Sequence, residues 1–220
     1  MREALALCIG YLLGSVLPAD LLARARGVDI RAVGTKNPGT TNALQELGLV
    51  PGLVTGAYDT SVGLVSMYVA YRLGLSAGWI YLAGVAAVVG HCFPVFFRFR
   101  GGQGMAATTG MLVWEMAVAV QHGWLSLAEI GVLAVLAVAV FTLTRSATVV
   151  GVVVAPLLVL QIVLARPDWQ FALFMTVLAG WIWIVQLSLA LHDHLFRLSD
   201  PVKVRLGKLV DRSGRHGKAP

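Results

Sequence analysis

Seven apolar stretches, each near 20 residues and joined by short connections, constrain this chain more than any other feature. They run roughly over residues 4–22, 50–73, 77–97, 104–121, 124–143, 147–165 and 168–190. A helix that crosses the hydrocarbon core needs about 20 apolar residues, and inside lipid its backbone groups must be satisfied within the segment. Hydrophobic residues make up 58% of the chain and charged residues 13%, against roughly a quarter charged in soluble domains. The expected fold is all-α. It is one polytopic membrane domain over residues 1–198, followed by a basic tail over 199–220.

The first stretch differs from a signal peptide, because Arg2 is followed at once by Glu3 and six further stretches follow; it is read as a retained span. Basic residues set the orientation. With seven spans, 14 of the 17 lysines and arginines fall on one side: Arg24, Arg26, Arg31, Lys36, Arg98, Arg100, Arg145 and the tail. Only Arg2, Arg72 and Arg166 fall on the other. The N-terminus is therefore expected outside and the C-terminus in the cytoplasm. The net charge of +6 is a feature of the membrane surface, and nucleic acid is not needed to explain it. Cys8 and Cys92 lie within spans without disulfide or metal-ligand spacing, and are read as packing residues.

Two loops on the basic side hold the candidate chemistry. Gly90–Gly110 leaves an apolar run at His91, exposes Arg98 and Arg100, and collapses into Gly101-Gly102-Gln103-Gly104. Such glycines let a ligand approach the main chain. Backbone N–H groups in the turn, and a helix starting at Met105, can cradle an anion. The loop before it reads Gly34-Thr35-Lys36-Asn37-Pro38-Gly39-Thr40-Thr41-Asn42. It is either a plain turn or a second cradle, whose hydroxyls and amides surround a phosphate with Lys36 as the point charge. The turn at Thr144-Arg145-Ser146-Ala147-Thr148 is helix punctuation or a third supplier of an arginine.

Asp59 lies inside a span, where an acid marks a site or a buried partner. Glu115 and Glu129 are read as structural or interfacial. His192-x-His194 lacks a third ligand at useful spacing, so no metal is expected. Polar, basic loops gather on the cytoplasmic side while intramembrane charges are few. That distribution fits an enzyme acting on a phosphorylated substrate better than a channel.

The sequence resembles the bacterial acyl-phosphate:glycerol-3-phosphate acyltransferases (PlsY). Gly34–Asn42 is similar to that family's first loop, Gly-Ser-x-Asn-x-Gly-Ala-Thr-Asn. Gly90-His91-Cys92-Phe93-Pro94-Val95-Phe96 and Phe99-Arg100-Gly101-Gly102-Gln103-Gly104 are similar to its second. The departures include Gln103 and Val62 where the family has lysine, Thr35 and Gly151 where it has serine, and Leu195 where it has asparagine, its C-terminal pattern keeping only His192.

The resemblance implies transfer of a fatty acyl group from acyl-phosphate to the 1-hydroxyl of sn-glycerol 3-phosphate, giving lysophosphatidic acid and phosphate. It implies no cofactor, and a multi-pass protein of the bacterial inner membrane with its site facing the cytoplasm. On this reading His91, His192, Thr35 and Asn37 are catalytic candidates. Gly34, Lys36, Gly39, Thr41, Asn42, Arg98, Arg100, Gly101, Gly102, Gln103, Gly104, Arg145 and Thr148 would hold phosphates. The expected partners are the two substrates and membrane lipids. Two alternatives stay open: a degenerate paralogue that binds a phosphorylated lipid precursor or uses another acceptor, and a small transporter.

Overall fold

The computed structural model describes residues 1–123 and 126–144, with single helical positions at 153, 154, 156, 157, 160, 180 and 184. The chain divides into two compact units, Met1–Glu129 and Ile130–Pro220. All regular structure among the described residues is helical. Among them, two stretches are long and apolar enough to cross a membrane, Arg2–Arg24 and Ala77–Phe97.

The first unit contains α1 (Arg2–Gly14), α2 (Pro18–Arg24), α3 (Thr40–Glu46), α4 (Leu49–Arg72), α5 (Ala77–Cys92) and α6 (Met105–Gln121), with a single 3-10 turn at Val95–Phe97. The expected first span is therefore two helices. Pro18 has no N–H to continue α1 and holds Leu17 extended at φ −115°, ψ 94°, the conformation favoured before proline. The third apolar stretch likewise stops being α-helical at Cys92, ahead of Pro94. The connection after the first span carries the short helix α3.

Small residues let the long helices approach. A Cβ at Gly10 would reach the Ala83 carbonyl, one at Gly14 the Ala87 carbonyl, and one at Gly90 the Tyr11 carbonyl. These contacts fix α1 and α5 side by side and running the same way, the small-xxx-small packing of membrane helices. α4 and α6 run the same way as each other and opposite to α1 and α5, with Tyr68 and Tyr71 of α4 beside Trp114 of α6. Tyr58 Oη donates to the Leu13 carbonyl at 3.0 Å, Gly63 meets Ala107, and Gly110 meets Thr60. Consequently the ends of α1 and α5 and the starts of α4 and α6 share one end of the bundle. Both glycine-containing loops lie there.

The second unit is described chiefly through α7 (Leu127–Thr144), whose first residues precede its boundary. Glu129 Oε2 accepts from the Ser126 backbone N–H at 2.7 Å, and the Glu129 N–H donates to Ser126 Oγ at 3.2 Å. That reciprocal pair is a capping box and gives Glu129 a structural task. Apart from those single helical positions, the last two expected spans lie outside the described residues, as does the whole 199–220 tail.

Candidate active site at the loop end of the bundle

The second loop is tied down before its glycines begin. Tyr11 Oη donates to the Phe93 carbonyl at 2.9 Å, and the Val95 N–H reaches Ser15 Oγ at 3.4 Å. The Arg24 guanidinium sits 5.3 Å from the centre of the Phe97 ring. Pro94 accepts from the N–H groups of both Phe97 and Phe99, at 3.1 and 2.9 Å. The tight turn this closes places Arg98 and Phe99 at φ 55° and 58°. Left-handed geometry costs roughly 1–2 kcal/mol at a non-glycine residue, and two such residues in succession are sustained by the surrounding bonds.

The chain then folds back. The Gly102 N–H donates to the carbonyl of His91 at 3.0 Å, so the glycine segment lies across the end of α5. A Cβ at Gly102 would stand 2.5 Å from His91 Nε2 and 3.4 Å from Asn37 Oδ1. Gly104, at φ 75°, caps α6, which starts at Met105. The N-terminus of a 17-residue helix is thereby set beside the loop, a favourable place for an anion. His91, Asn37 and Gly102 thus meet at one point.

Behind it, His91 Nδ1 lies 3.8 Å from Asp59 Oδ1, too long for a hydrogen bond, and both side chains are buried. Among the described residues, neither atom has a hydrogen-bond partner. The ring thus turns Nδ1 toward Asp59 and Nε2 toward Gly102.

The first loop is held by Asn42. Its Oδ1 accepts from the Thr35 N–H at 2.9 Å, and its Nδ2 donates to the carbonyls of Ile30 and Val33 at 2.9 and 3.2 Å. Both amide donors are therefore occupied inside the protein, and Asn42 is buried. Gly34 and Lys36 sit at φ 55° and 61° within the segment that Asn42 closes. Thr35, Lys36 and Thr41 are exposed, and Asn37, Gln103 and Gly101 are partly buried. Gly39 is buried, its N–H donating to the Asn37 carbonyl at 2.9 Å.

Arg98 and Arg100 occupy a different place from the glycines. They line a cleft of about 590 Å³ with Asp20, Arg24, Asp29, Arg31, Phe96 and Phe97, and its walls include none of Gly101–Gly104, His91 or Asn37. Asp20, almost fully buried, holds Arg24 through Oδ1 and Arg31 through Oδ2, at 2.5 and 2.8 Å. Sequence reasoning passed over Asp20, Arg24 and Arg31 as site residues. The i, i+4 spacing of Asp20 and Arg24 was a signal for the first pair, while Arg31 joins only through the fold. Val62, where the resemblance places a lysine, is buried against Ala87 and Ala107. His192, Arg145 and Thr148 lie outside the described residues. Among those described, no group of three His, Cys, Asp or Glu side chains converges.

Comparison with known proteins gives this geometry its setting. Residues 4–193 match the family described as glycerol-3-phosphate acyltransferase. Glycerol-3-phosphate acyltransferase 1 of Deinococcus radiodurans is 42% identical over 82% of this chain and 88% of its own length. The glycerol-3-phosphate acyltransferase of Thermus thermophilus is 37% identical over 93% and 96%. The crystal structure of PlsY (YgiH), an integral membrane glycerol 3-phosphate acyltransferase, in its glycerol 3-phosphate form shares the fold. Its TM-score is 0.72 at 24% identity, over 89% of this chain and 93% of that one. The chain belongs to the glycerol-3-phosphate acyltransferase family.

Proposed function

We propose that the protein transfers a fatty acyl group from acyl-phosphate to the 1-hydroxyl of sn-glycerol 3-phosphate, releasing lysophosphatidic acid and phosphate. That it is a membrane glycerol-3-phosphate acyltransferase follows from its family; the donor, the acceptor position and the residue roles are the proposal. The observation that carries those roles is the meeting of His91 Nε2 and Asn37 on Gly102. In the reaction the acceptor oxygen bonds to the acyl carbonyl carbon. The bond from that carbon to the bridging oxygen breaks, and phosphate leaves with the electron pair. The hydroxyl proton passes to Nε2 of His91. Because phosphate is already a good leaving group, orientation and charge stabilisation supply most of the acceleration.

The N–H groups of Gly101, Gln103 and Gly104 and of the start of α6 are the ones offered to one phosphate, that of Gly102 being held by the His91 carbonyl, and Thr35, Asn37 and Lys36 approach from the first loop. His192, Arg145 and Thr148 complete the site on the family pattern. The finer architecture belongs to the same proposal: seven spans over residues 1–198, the N-terminus outside, the site facing the cytoplasm of a bacterial inner membrane, and a basic tail over 199–220. One observation favours the alternative of a paralogue that binds without turnover. Val62 is packed into the apolar core where the resemblance places a lysine, so that charge is missing.

The test is phosphate release from palmitoyl-phosphate by the purified protein, with and without glycerol 3-phosphate, following lysophosphatidic acid in parallel. Acceptor-dependent release with matching product is expected. Folded protein that binds palmitoyl-phosphate and makes no product would establish the paralogue instead.

A further inference from the structure

We infer that the cleft lined by Arg24, Arg31, Arg98 and Arg100 is a second anion site, one that takes the phosphate monoester of a single-chain lipid. The four guanidiniums come from α2, the turn after it and the strained turn at 98–99, three segments that only the fold brings together. Against them stand two carboxylates, Asp20 and Asp29, so the cleft keeps two positive charges. Asp20 is spent on Arg24 and Arg31, and Asp29 accepts from the Arg31 backbone N–H at 3.0 Å. Arg98 and Arg100 are exposed, and neither forms an ion pair among the described residues. A phosphate monoester carries about 1.5 to 2 negative charges near neutral pH, which matches the surplus. A phosphodiester carries one and leaves the other charge uncompensated. Planar forks also suit phosphate oxygens better than they suit a diffuse anion.

The same turn points to a lipid as the carrier. Phe93, Phe96 and Phe99 are 58%, 60% and 60% exposed, the first two ahead of Arg98 and the third between Arg98 and Arg100. Uncovered phenylalanines interleaved with arginines fit the boundary between headgroups and acyl chains, where the rings enter the apolar layer and the charges face phosphates. A volume of about 590 Å³ admits a headgroup and the first part of a chain, within the usual range for ligand sites.

The experiment is native mass spectrometry of the full chain in phosphatidylcholine nanodiscs, titrated with 1-palmitoyl-lysophosphatidate. Inorganic phosphate, lysophosphatidylcholine and phosphatidylglycerol are the competing arms. The double variant Arg98→Gln, Arg100→Gln is expected to lose one bound lysophosphatidate per chain, or to hold it at least about tenfold more weakly. The pair Arg98→Lys, Arg100→Lys is expected to recover part of the loss, which separates missing charge from a damaged fold. Binding unchanged in the glutamine variant, or no recovery with lysine, would overturn the inference. So would displacement by inorganic phosphate at equal affinity, which would make this a site for soluble anions, or by phosphatidylglycerol, which would make it a site for bilayer diesters. No turnover is needed for the measurement. A failed acyl-transfer assay therefore leaves this result standing, and the reverse also holds.

Discussion

Gly102 shows most directly how one missing side chain makes room for chemistry. The smallest substitution puts a methyl 2.5 Å from His91 Nε2, and the buried imidazole has Asp59 on its other side. It cannot yield without leaving its place. Gly102→Ala is therefore expected to lower kcat by about 100-fold, the scale of a misplacement near 1 Å, while the thermal unfolding midpoint in detergent barely moves. A variant with unchanged kcat would remove His91 from the reaction. Asn42 predicts the opposite pattern. Asn42→Ala leaves the carbonyls of Ile30 and Val33 and the N–H of Thr35 without their partner, at about 1–3 kcal/mol for each buried group. The expected result is a lowered unfolding midpoint; activity lost at an unchanged midpoint would instead place Asn42 on a substrate. The motif presents Asn37 and Asn42 as equivalent amides. Only the closed loop shows one facing Gly102 and the other facing its own backbone, which is why sequence reading gave Asn42 a phosphate to hold.

Among the elements, the long apolar helices were legible because burial in lipid needs only length and composition. α4, α5, α6 and α7 fall within a few residues of the expected stretches. Misreadings came where a local rule met a hydrophobic run. Pro18 and Pro94 were visible, but the apolar residues around them suggested continuous spans, and Val95–Phe97 is a 3-10 turn. α3 was missed because seven residues show little periodicity, and its buried side belongs to Asn42 and Ala43. The seam between α1 and α5 was equally hidden, since Gly10 and Gly14 gain meaning only opposite Ala83 and Ala87. Gly14→Leu would drive a side chain into the Ala87 backbone and separate the helices. Because Tyr11 and Ser15 hold the second loop from this same helix, both the unfolding midpoint and the activity should fall together. A fully active, equally stable Gly14→Leu protein would show that the seam does not position the loop.

At the scale of the whole molecule, chain direction and charge agree. The antiparallel run of α4 against α1 puts Arg2 and Arg72 at one end of the first unit. The connections holding Arg24, Arg26, Arg31, Lys36, Arg98 and Arg100 gather at the other. That two-ended division needs no knowledge of the membrane, while the rule that basic loops remain cytoplasmic turns it into an orientation. Both substrates of the proposed reaction carry phosphate, so the basic end is also the end where such anions would collect. Single cysteines at Lys36→Cys and Arg72→Cys, in a Cys8→Ser, Cys92→Ser background, test orientation with a membrane-impermeant maleimide. Intact cells should label position 72 and spare position 36, and inside-out vesicles should reverse the pattern. The opposite pattern would turn the bundle over and place both loops outside, away from a cytoplasmic supply of glycerol 3-phosphate. Labelling of both positions from one side would contradict the antiparallel packing of α4 itself, because 24 residues rising about 1.5 Å each separate its ends by a full bilayer core.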